Sequence, residues 1–371
     1  MLVERLPSWS ANPFSSAGLP TEALAQHRIP PDAVAASWKG LDIHSSAERA
    51  SWTGTQPLGV VLDFGRLRAL LAQEAATHGA QVCLGTRALA WGPQDGGAWV
   101  DLRDAHGTRR VEARLVVDAT GPSRALMRPH TPEGIEYLMG AGLELVVEVD
   151  SAQYDRFAHR LVFYLGNRWM PQGYGWIFPM EPGRLKVGMG RASQDHAESR
   201  GLRERVDRLL RQELGLTDPK VLDIHGGVLR YARGMKDTLV VGPALAIGDA
   251  ASTLNILGGE GIRHAMRSAE LAVPFLQLAL SRGPQALRGY PAALHRTFRR
   301  SWRQCEALAV QKYLLDNDTR LDALVRFLKQ QDLSLVMEAL FHYRFSRLIW
   351  RLGPAYVLRR TLRKLRGSLP F

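Results

Sequence analysis

The sequence has 371 residues, 46% of them hydrophobic, which is enough to bury one large core or two modest ones and favours a two-domain α/β enzyme over a fibre or a tail. Its 35 glycines and 20 prolines follow no period, which excludes collagen-like and solenoid architectures. The two cysteines lie far apart with no histidine at metal-ligand spacing, so neither a disulfide framework nor a metal site is expected. The formal net charge of +12 indicates a basic surface.

The first third of the chain alternates between helix and strand patterns. Apolar residues at helical spacing predict a helix over 62–78, which Gly79 ends before an apolar strand over 81–84. A short β-branched run predicts a buried strand over 114–118 that leads into the turn 119–122. This alternation is typical of an α/β domain.

A different pattern begins near residue 144, where strand formers predict a second, antiparallel sheet. The α/β pattern returns with a strand over 239–247, interrupted by Gly242 and Pro243, and with a long helix over 261–280. The predicted domains are a first α/β part, an inserted antiparallel-sheet domain, a second α/β part and a helical region, with the bounds 1–138, 139–236, 237–285 and 286–371.

The strongest functional signal is Gly248-Asp249-Ala250-Ala251, followed by Gly258-Gly259-Glu260-Gly261-Ile262 at the start of the long helix. An acid in a turn after a strand can bind sugar hydroxyls, and glycines at a helix N-terminus let backbone N–H groups approach an anion or an electron-rich ring. The plainer interpretation is a loop that needs glycines for its geometry. The spacing of the two segments resembles that of the flavin-dependent hydroxylase and reductase superfamily.

That resemblance implies FAD as the cofactor and gives roles to these residues. Asp249 would hydrogen-bond the ribityl or pyrophosphate part of FAD, and Gly259, Gly261 and Ile262 would lie against the pyrimidine edge of the isoalloxazine. In the segment Val116-Val117-Asp118-Ala119-Thr120-Gly121, which resembles the superfamily's Asp-Ala-Thr-Gly motif, Gly121 would keep the chain close to the dinucleotide.

Two further residues are expected near FAD on the same resemblance. Arg66, in the first turn of the helix over 62–78, matches an arginine that reaches the FAD phosphates or adenine in related flavoproteins, and we give Arg68 less weight for this role. Glu4 matches the acid that ends the second strand of a dinucleotide-binding fold and holds the adenosine ribose. No Gly-x-Gly-x-x-Gly turn precedes it, so the chain is expected to lack the first βα unit.

The segment Pro171-Gln172-Gly173-Tyr174-Gly175-Trp176-Ile177-Phe178-Pro179 fits a pattern of geranylgeranyl reductases, the glutathione-reductase-like flavoproteins that this chain resembles most. Strand alternation puts Tyr174, Trp176 and Phe178 on one face, where they would form an aromatic wall for an isoprenoid. Packing in a core under a helix is the plainer alternative. Family members often carry a cysteine where this chain has Ser15 and Ser16, so no role of that cysteine is transferred.

Near the C-terminus, apolar residues alternate with arginines at helical spacing over 341–352 and again over 357–365. These amphipathic cationic helices either pack on their own domain or contact a membrane surface, and nucleic-acid binding is not expected because no recognition motif accompanies the charge. We therefore predict a cytoplasmic protein that is peripheral on the membrane if these helices make that contact.

Taken together, the motifs predict an α/β protein with an FAD-binding Rossmann-like domain, an inserted antiparallel-sheet substrate domain and C-terminal helices. The predicted activity is reduction of carbon–carbon double bonds of a long isoprenoid, with NADPH or another reductant as electron donor and with no catalytic side chain assigned. The alternatives are an FAD-dependent monooxygenase or halogenase, a carotenoid cyclase-like flavoprotein, and a non-catalytic truncated relative.

Overall fold

The protein is described by a computed structural model covering residues 1–194, 200–314 and 317–351. The strands are β1 Leu2–Val3, β2 Gly18–Pro20, β3 Val34–Trp38, β4 Gly40–His44, β5 Arg49–Thr53, β6 Gly59–Leu62, β7 Val82–Cys83, β8 Arg87–Gln94, β9 Gly97–Asp104, β10 Gly107–Ala113, β11 Val116–Asp118, β12 Tyr137–Glu148, β13 Arg160–Leu165, β14 Gly173–Pro179, β15 Arg184–Gln194, β16 Lys220–Ala232, β17 Val240–Val241 and β18 Ala244–Ala246. The helices are α1 Glu22–Gln26, α2 Phe64–Thr77, α3 Ser151–Asp155, α4 Leu202–Leu209, α5 Ile262–Arg282, α6 Tyr290–Ala309, α7 Asp318–Lys329, α8 Leu333–Leu340 and α9 Ser346–Arg351.

A seven-stranded sheet in the order β16-β12-β15-β14-β13-β4-β5 dominates the middle of the chain. All of its pairings are antiparallel except β13 with β4, which run parallel. Five of its strands fall in the predicted antiparallel region, whereas β4 and β5 come from the part of the chain that the sequence grouped with the first α/β segment. The parallel pairing of β4 with β13 is non-local, and no local pattern announces it.

Short parallel pairs form the α/β part. Strand β1 pairs with β7, and β11 pairs with β18, which β17 extends on the other side. Helices α5 and α6 cover β11 and β18 with one continuous apolar core. The carboxyl ends of β11 and β18 therefore lie side by side, and the turns that follow them meet at one edge.

Local sequence explains most of these element boundaries. Asp63 caps α2 by accepting a hydrogen bond from the backbone N–H of Arg66 at 2.9 Å, and Gly79 at φ +86° follows its end, in agreement with the predicted helix and strand. The predicted single strand over 239–247 is instead the hairpin of β17 and β18. Gly242, at φ +52°, makes the turn between them.

The basic stripe near the C-terminus packs on the protein over its described part. Phe341 and Phe345 are buried, and Arg347 of α9 pairs with Glu338 at 3.0 Å. Trp350 is 81% exposed, and the predicted second stripe over 357–365 lies outside the described residues. Among the residues that the structure covers, no helix has the length and apolar character needed to cross a bilayer.

A buried ion cluster joins the end of β16 to the two turns. The carboxylate of Asp237, 0% exposed, lies 3.5 Å from Arg124 and 3.1 Å from Arg230 and accepts a hydrogen bond from Ser252 at 2.5 Å. Arg124 follows the turn after β11 and also donates to the backbone carbonyl of Ala250 in the turn after β18. This cluster fixes the two turns relative to each other.

We expect Asp237→Ala to lower the free energy of unfolding by about 3–5 kcal/mol, because it leaves Arg124 as a buried cation without its carboxylate. Asp101→Ala, which breaks a solvent-exposed pair with Arg110, is the matched control and should leave stability unchanged. Urea unfolding of both variants measures the difference. Equal stability of the two variants would contradict a structural role for this cluster.

Candidate active site

A cavity of about 410 Å³ lies between the large sheet and the turns that follow β11 and β18. Helix α2 and the segment 14–16 close its sides, and the start of α5 closes one end. The cavity brings together residues from the turn after β11, the turn after β18, the glycine loop before α5 and the aromatic strand β14. Five of the predicted cofactor residues, and two of the three predicted substrate residues, line it.

The turn after β18 presents Asp249 to this cavity. Gly248 adopts φ +60°, and its N–H donates to Ser268 Oγ at 2.7 Å, which fixes the turn against α5. The Asp249 carboxylate lies at the start of α5, next to Gly261, and has no side-chain hydrogen-bond partner among the described residues. Burial raises the pKa of Asp249 to about 6. A buried acceptor without a partner is suited to a hydroxyl-bearing ligand.

The glycine loop before α5 exposes backbone rather than side chains. Gly259 adopts φ +62°, and a Cβ there would lie 2.7 Å from the hydroxyl of Tyr174. Gly261 precedes the first turn of α5 and provides no side-chain cap, so the first N–H groups of the helix remain available near Ile262. These donors and the helix dipole favour an electron-rich ring edge or an anion at this point.

Hydrogen bonds from neighbouring elements hold this loop rigidly. Tyr174 donates to the carbonyl of Gly258 at 2.8 Å, and Tyr313 donates to that of Leu257 at 2.5 Å. Glu260 accepts a hydrogen bond from Tyr343 at 2.6 Å. Although burial acts to raise the pKa of Glu260, the nearby His264 ring and the hydrogen bonds from Arg263 lower it to about 2. The loop is thus preorganised by charge and by phenol hydroxyls.

The turn after β11 lines the cavity at Gly121, which has φ +68° and open space where a Cβ would be. Asp118 does not face a ligand: its buried carboxylate accepts hydrogen bonds from the backbone of Thr120, Leu126 and Met127 at 2.8 to 3.1 Å. Within this motif, the aspartate stabilises the turn and the glycine leaves room beside it.

The large sheet contributes a floor of glycines and an aromatic wall. Four glycines of β12, β14 and β15 line the cavity: Gly140, Gly142, Gly173 and Gly190. Tyr174 and Trp176 also line it, with their rings 5.7 Å apart. Phe178, predicted on the same wall, instead packs in the core, where its ring centroid lies 5.2 Å from that of Phe163. The structure therefore brings two of the three predicted aromatic residues to the cavity.

The remaining predicted cofactor residues lie elsewhere. Arg66 is 58% exposed and 3.9 Å from Asp32, and it lines a neighbouring cavity of about 600 Å³. Its neighbour Arg68 lines the main cavity and donates to the carbonyls of Trp9 and Ala11. Glu4 follows β1, and its carboxylate accepts from the N–H of Leu6 at 2.8 Å.

Sequence reasoning missed other residues at the site. Tyr313 lines the cavity from the end of α6, and no motif points to it. Glu144 and Lys186 are buried in the sheet beneath the cavity. Each of these two residues is a charged residue at a strand position that faces inward. A buried charge of this kind is unusual unless it has a partner, so this pattern could have pointed to them.

The cavity fits FAD on its own geometry. Glycines leave backbone exposed at Gly121 and Gly259, where FAD would have to approach closely, and Asp249 offers an unpaired acceptor. The helix N-terminus at Gly261 faces the same space. The lining is mostly apolar, as a flat aromatic ring system requires.

Comparisons with known proteins agree with this geometry. The chain is 29% identical over 285 residues to digeranylgeranylglycerophospholipid reductase 2 of Methanothermobacter thermautotrophicus, covering 75% of this chain and 71% of that protein. It is 24% identical over 361 residues to digeranylgeranylglycerophospholipid reductase of Thermoplasma volcanium, covering 91% and 87%. The crystal structure of a geranylgeranyl bacteriochlorophyll reductase-like protein from Thermoplasma acidophilum superposes with a TM-score of 0.80 at 22% identity, covering 93% of this chain and 89% of that one.

The family model for FAD dependent oxidoreductases matches residues 10–273, which include both turns, the glycine loop and the large sheet. This family match and the superposition on the Thermoplasma acidophilum structure confirm the predicted fold class. The chain belongs to the FAD dependent oxidoreductase family.

Proposed function

We propose that this FAD-dependent oxidoreductase reduces carbon–carbon double bonds of a long isoprenoid chain in the cavity between Asp249 and the aromatic wall. The observation that carries the proposal is the wall itself: Tyr174 and Trp176 stand over a floor of glycines, opposite the turns suited to a flavin. A surface of this kind is apolar, flat and free of charged groups, as an isoprenoid requires. Two relatives named as reductases of geranylgeranyl lipids support the same substrate class.

When bound and reduced, FAD supplies the hydride for such a reduction, and the second carbon takes a proton. We propose NADPH or another reductant as the electron donor. The chain's own residues would bind and orient the cofactor: Asp249 would accept a hydrogen bond from one of its hydroxyls, and Gly121 and Gly259 would give it room. The N-terminus of α5 at Gly261 and Ile262 would interact with its electron-rich groups. Since Arg68 lines the cavity, we propose it rather than Arg66 as the arginine of the cofactor site.

Substrate access is the other part of the proposal. A long isoprenoid resides in a membrane, and Trp350, 81% exposed on α9, lies next to the basic C-terminal residues. Aromatic and cationic side chains together favour the membrane interface. We propose that this end of the protein contacts the membrane surface, although Arg347 already pairs with Glu338 on the protein.

Asp249→Ala is expected to reduce the flavin bound per protein, because loss of a buried hydrogen-bond acceptor costs about 1–3 kcal/mol, or about 5- to 150-fold in affinity. Asp95→Ala, in the exposed turn between β8 and β9, is the control and should keep its flavin. Titration of the flavin-free proteins with FAD, followed by flavin fluorescence, measures both. Unchanged affinity in the Asp249 variant would remove this residue from the cofactor site.

Flavin-free protein should also show the cost of burying the Asp249 carboxylate. Its pKa is raised from 3.8 to about 6 in the folded state, so folding is disfavoured as pH rises through this range and the penalty is fully present above it. We expect Asp249→Asn to raise the melting temperature at about pH 8 and to have little effect at about pH 3, where the carboxyl group is mostly protonated in both states. An equal gain at both values would show that the carboxylate is not destabilised by burial.

Trp176→Ala is expected to lower kcat/KM for a geranylgeranyl substrate by at least about tenfold, which corresponds to about 1.4 kcal/mol of lost apolar contact. Flavin content should stay unchanged, because Trp176 lies on the sheet and not in either turn. Trp99→Ala, which removes a half-buried indole of β9 that does not line the cavity, is the matched control. Full activity of Trp176→Ala would exclude this wall as the substrate site and favour a monooxygenase on the same fold.

A further inference from the structure

Beneath the cavity, four adjacent strands bury a polar cluster that the flavin site does not use. We call Glu144, Trp176, Lys186 and His225 the Glu144 cluster. Across the sheet, Glu144 on β12 stands opposite His225 on β16 and Gly188 on β15, and Gly188 stands opposite Trp176 on β14. The four side chains are at most 5% exposed. Polar groups buried this deeply need partners within the protein.

The indole of Trp176 is held by the carboxyl group of Glu144. Its Nε1–H donates to Glu144 Oε2 at 2.6 Å, and Glu144 is 0% exposed. The bond crosses β15, and it forms only because Gly188 has no side chain, since a Cβ there would overlap the indole ring. A hydrogen bond to a carboxylate is shorter and stronger than one between neutral groups, so it fixes the ring orientation.

Lys186 links the same cluster to the opposite wall of the cavity. Two residues before Gly188 on β15, it is 3% exposed and donates to the carbonyl of Ser15 at 2.7 Å and to that of Leu62 at 3.2 Å. Burial lowers the pKa of Lys186, and the nearby charge of Glu144 opposes that shift. Ser15 lines the cavity. The charge of Glu144, which orients Trp176, therefore also favours the ammonium form of Lys186, which holds Ser15.

His225 completes the cluster on the other side of Glu144. Its Nδ1 lies 3.6 Å from Glu144 Oε1, and neither atom has a hydrogen-bond partner among the described residues. Burial lowers the pKa of His225, which therefore stays neutral at neutral pH. The ring of Phe14, another cavity residue, packs edge-on against it at 6.1 Å.

Stability alone does not account for this arrangement. Burying the polar groups of Glu144 and Lys186 costs desolvation that apolar side chains of similar volume avoid, and two atoms of the cluster have no hydrogen-bond partner among the described residues. Yet each of its members touches a residue that lines the cavity, or lines it itself. Its geometric effect is to hold Trp176, Ser15 and Phe14 in fixed relative positions.

We infer that Glu144 is a positioning residue of the substrate site: by holding the indole of Trp176 it sets the width of the cavity, and thereby its preference for a long over a short isoprenoid. This inference rests on the proposed function for its substrate class. It assigns to Glu144 no contact with the substrate or with FAD.

The kinetic test compares Glu144→Gln and Glu144→Leu with Glu148→Gln, an exposed glutamate four residues further along β12 that pairs with Lys220. FAD-loaded enzymes reduced with dithionite are assayed with geranylgeranyl and geranyl diphosphates. Glu144→Leu should raise KM for the longer substrate about tenfold with little change in kcat and flavin content. Glu144→Gln, whose amide oxygen still accepts the indole N–H, should restore most of the preference, and Glu148→Gln should match the parent.

A double-mutant cycle separates positioning from a merely structural role. Trp176→Phe keeps an aromatic ring but has no N–H, so adding Glu144→Leu to it should have a smaller effect on KM than Glu144→Leu alone. If Glu144→Leu does not fold because the buried cation Lys186 loses the nearby charge of Glu144, the double variant Glu144→Leu/Lys186→Met removes both groups. Additive effects, or a loss of flavin equal to the loss of substrate affinity, would overturn the inference.

Indole N–H resonances of ¹⁵N-labelled protein test the same bond without any substrate. The Trp176 signal, assigned by its absence in Trp176→Phe, should be shifted downfield and slow to exchange with deuterium in the parent and in Glu144→Gln, but not in Glu144→Leu. A parent enzyme that reduces neither diphosphate while showing this protected signal would refute the proposed function alone. An unprotected Trp176 signal in the parent would refute the positioning role.

Discussion

The hydrogen bond from the Tyr174 hydroxyl to the carbonyl of Gly258 is the contact on which the site depends. It joins the large sheet to the loop before α5, two parts of the chain that are 84 residues apart. The bond requires Gly259, because a Cβ at that position would press against the same hydroxyl. One phenol therefore belongs to the aromatic wall proposed for the substrate and also fixes the backbone of the loop proposed for the flavin.

Buried charge gives the loops of the site their rigidity. The Asp237 carboxylate pairs with Arg124, which donates a hydrogen bond to the carbonyl of Ala250. At the start of α5, Glu260 accepts hydrogen bonds from Arg263 and Tyr343. Neither set of charges lines the cavity, so the electrostatic cost of burying them falls on the surrounding structure and the cavity lining remains mostly apolar. Catalytic loops that are preorganised in this way lose little entropy when they bind a ligand.

Local sequence patterns identified the parts of the site that depend on backbone shape. The turns at Gly121 and Asp249, the loop at Gly259 and the aromatic strand at Tyr174 all carry glycines or alternation that can be recognised without a fold. What the patterns could not provide was the pairing of distant strands. Phe178 alternates with Trp176 yet lies in the core, since strand alternation specifies a face but not how far along that face the cavity extends.

Local sequence patterns also could not predict which charged residues lie at the site. Arg66 and Arg68 are two positions apart on α2, and only the packing of that helix decides which of them faces the cavity. Glu144 and Lys186 become neighbours through the register of β12 against β15, which is set over eleven paired positions and is not encoded near either residue. Relationships of this kind become visible only when the sheet is assembled.

The glycine floor restricts where this protein can acquire new substrate preferences. A methyl group at Gly173 would overlap the backbone of the neighbouring strand, and one at Gly188 would overlap the Trp176 indole. At Gly142 it would overlap the ring of Phe14. Mutational drift at these positions is therefore limited to glycine, while Ser15, Ser16 and Tyr313 border the same space without that restriction. Diversification among relatives with this sheet should therefore be concentrated in the walls of the cavity, while Gly142 and Gly173 of its floor stay glycine.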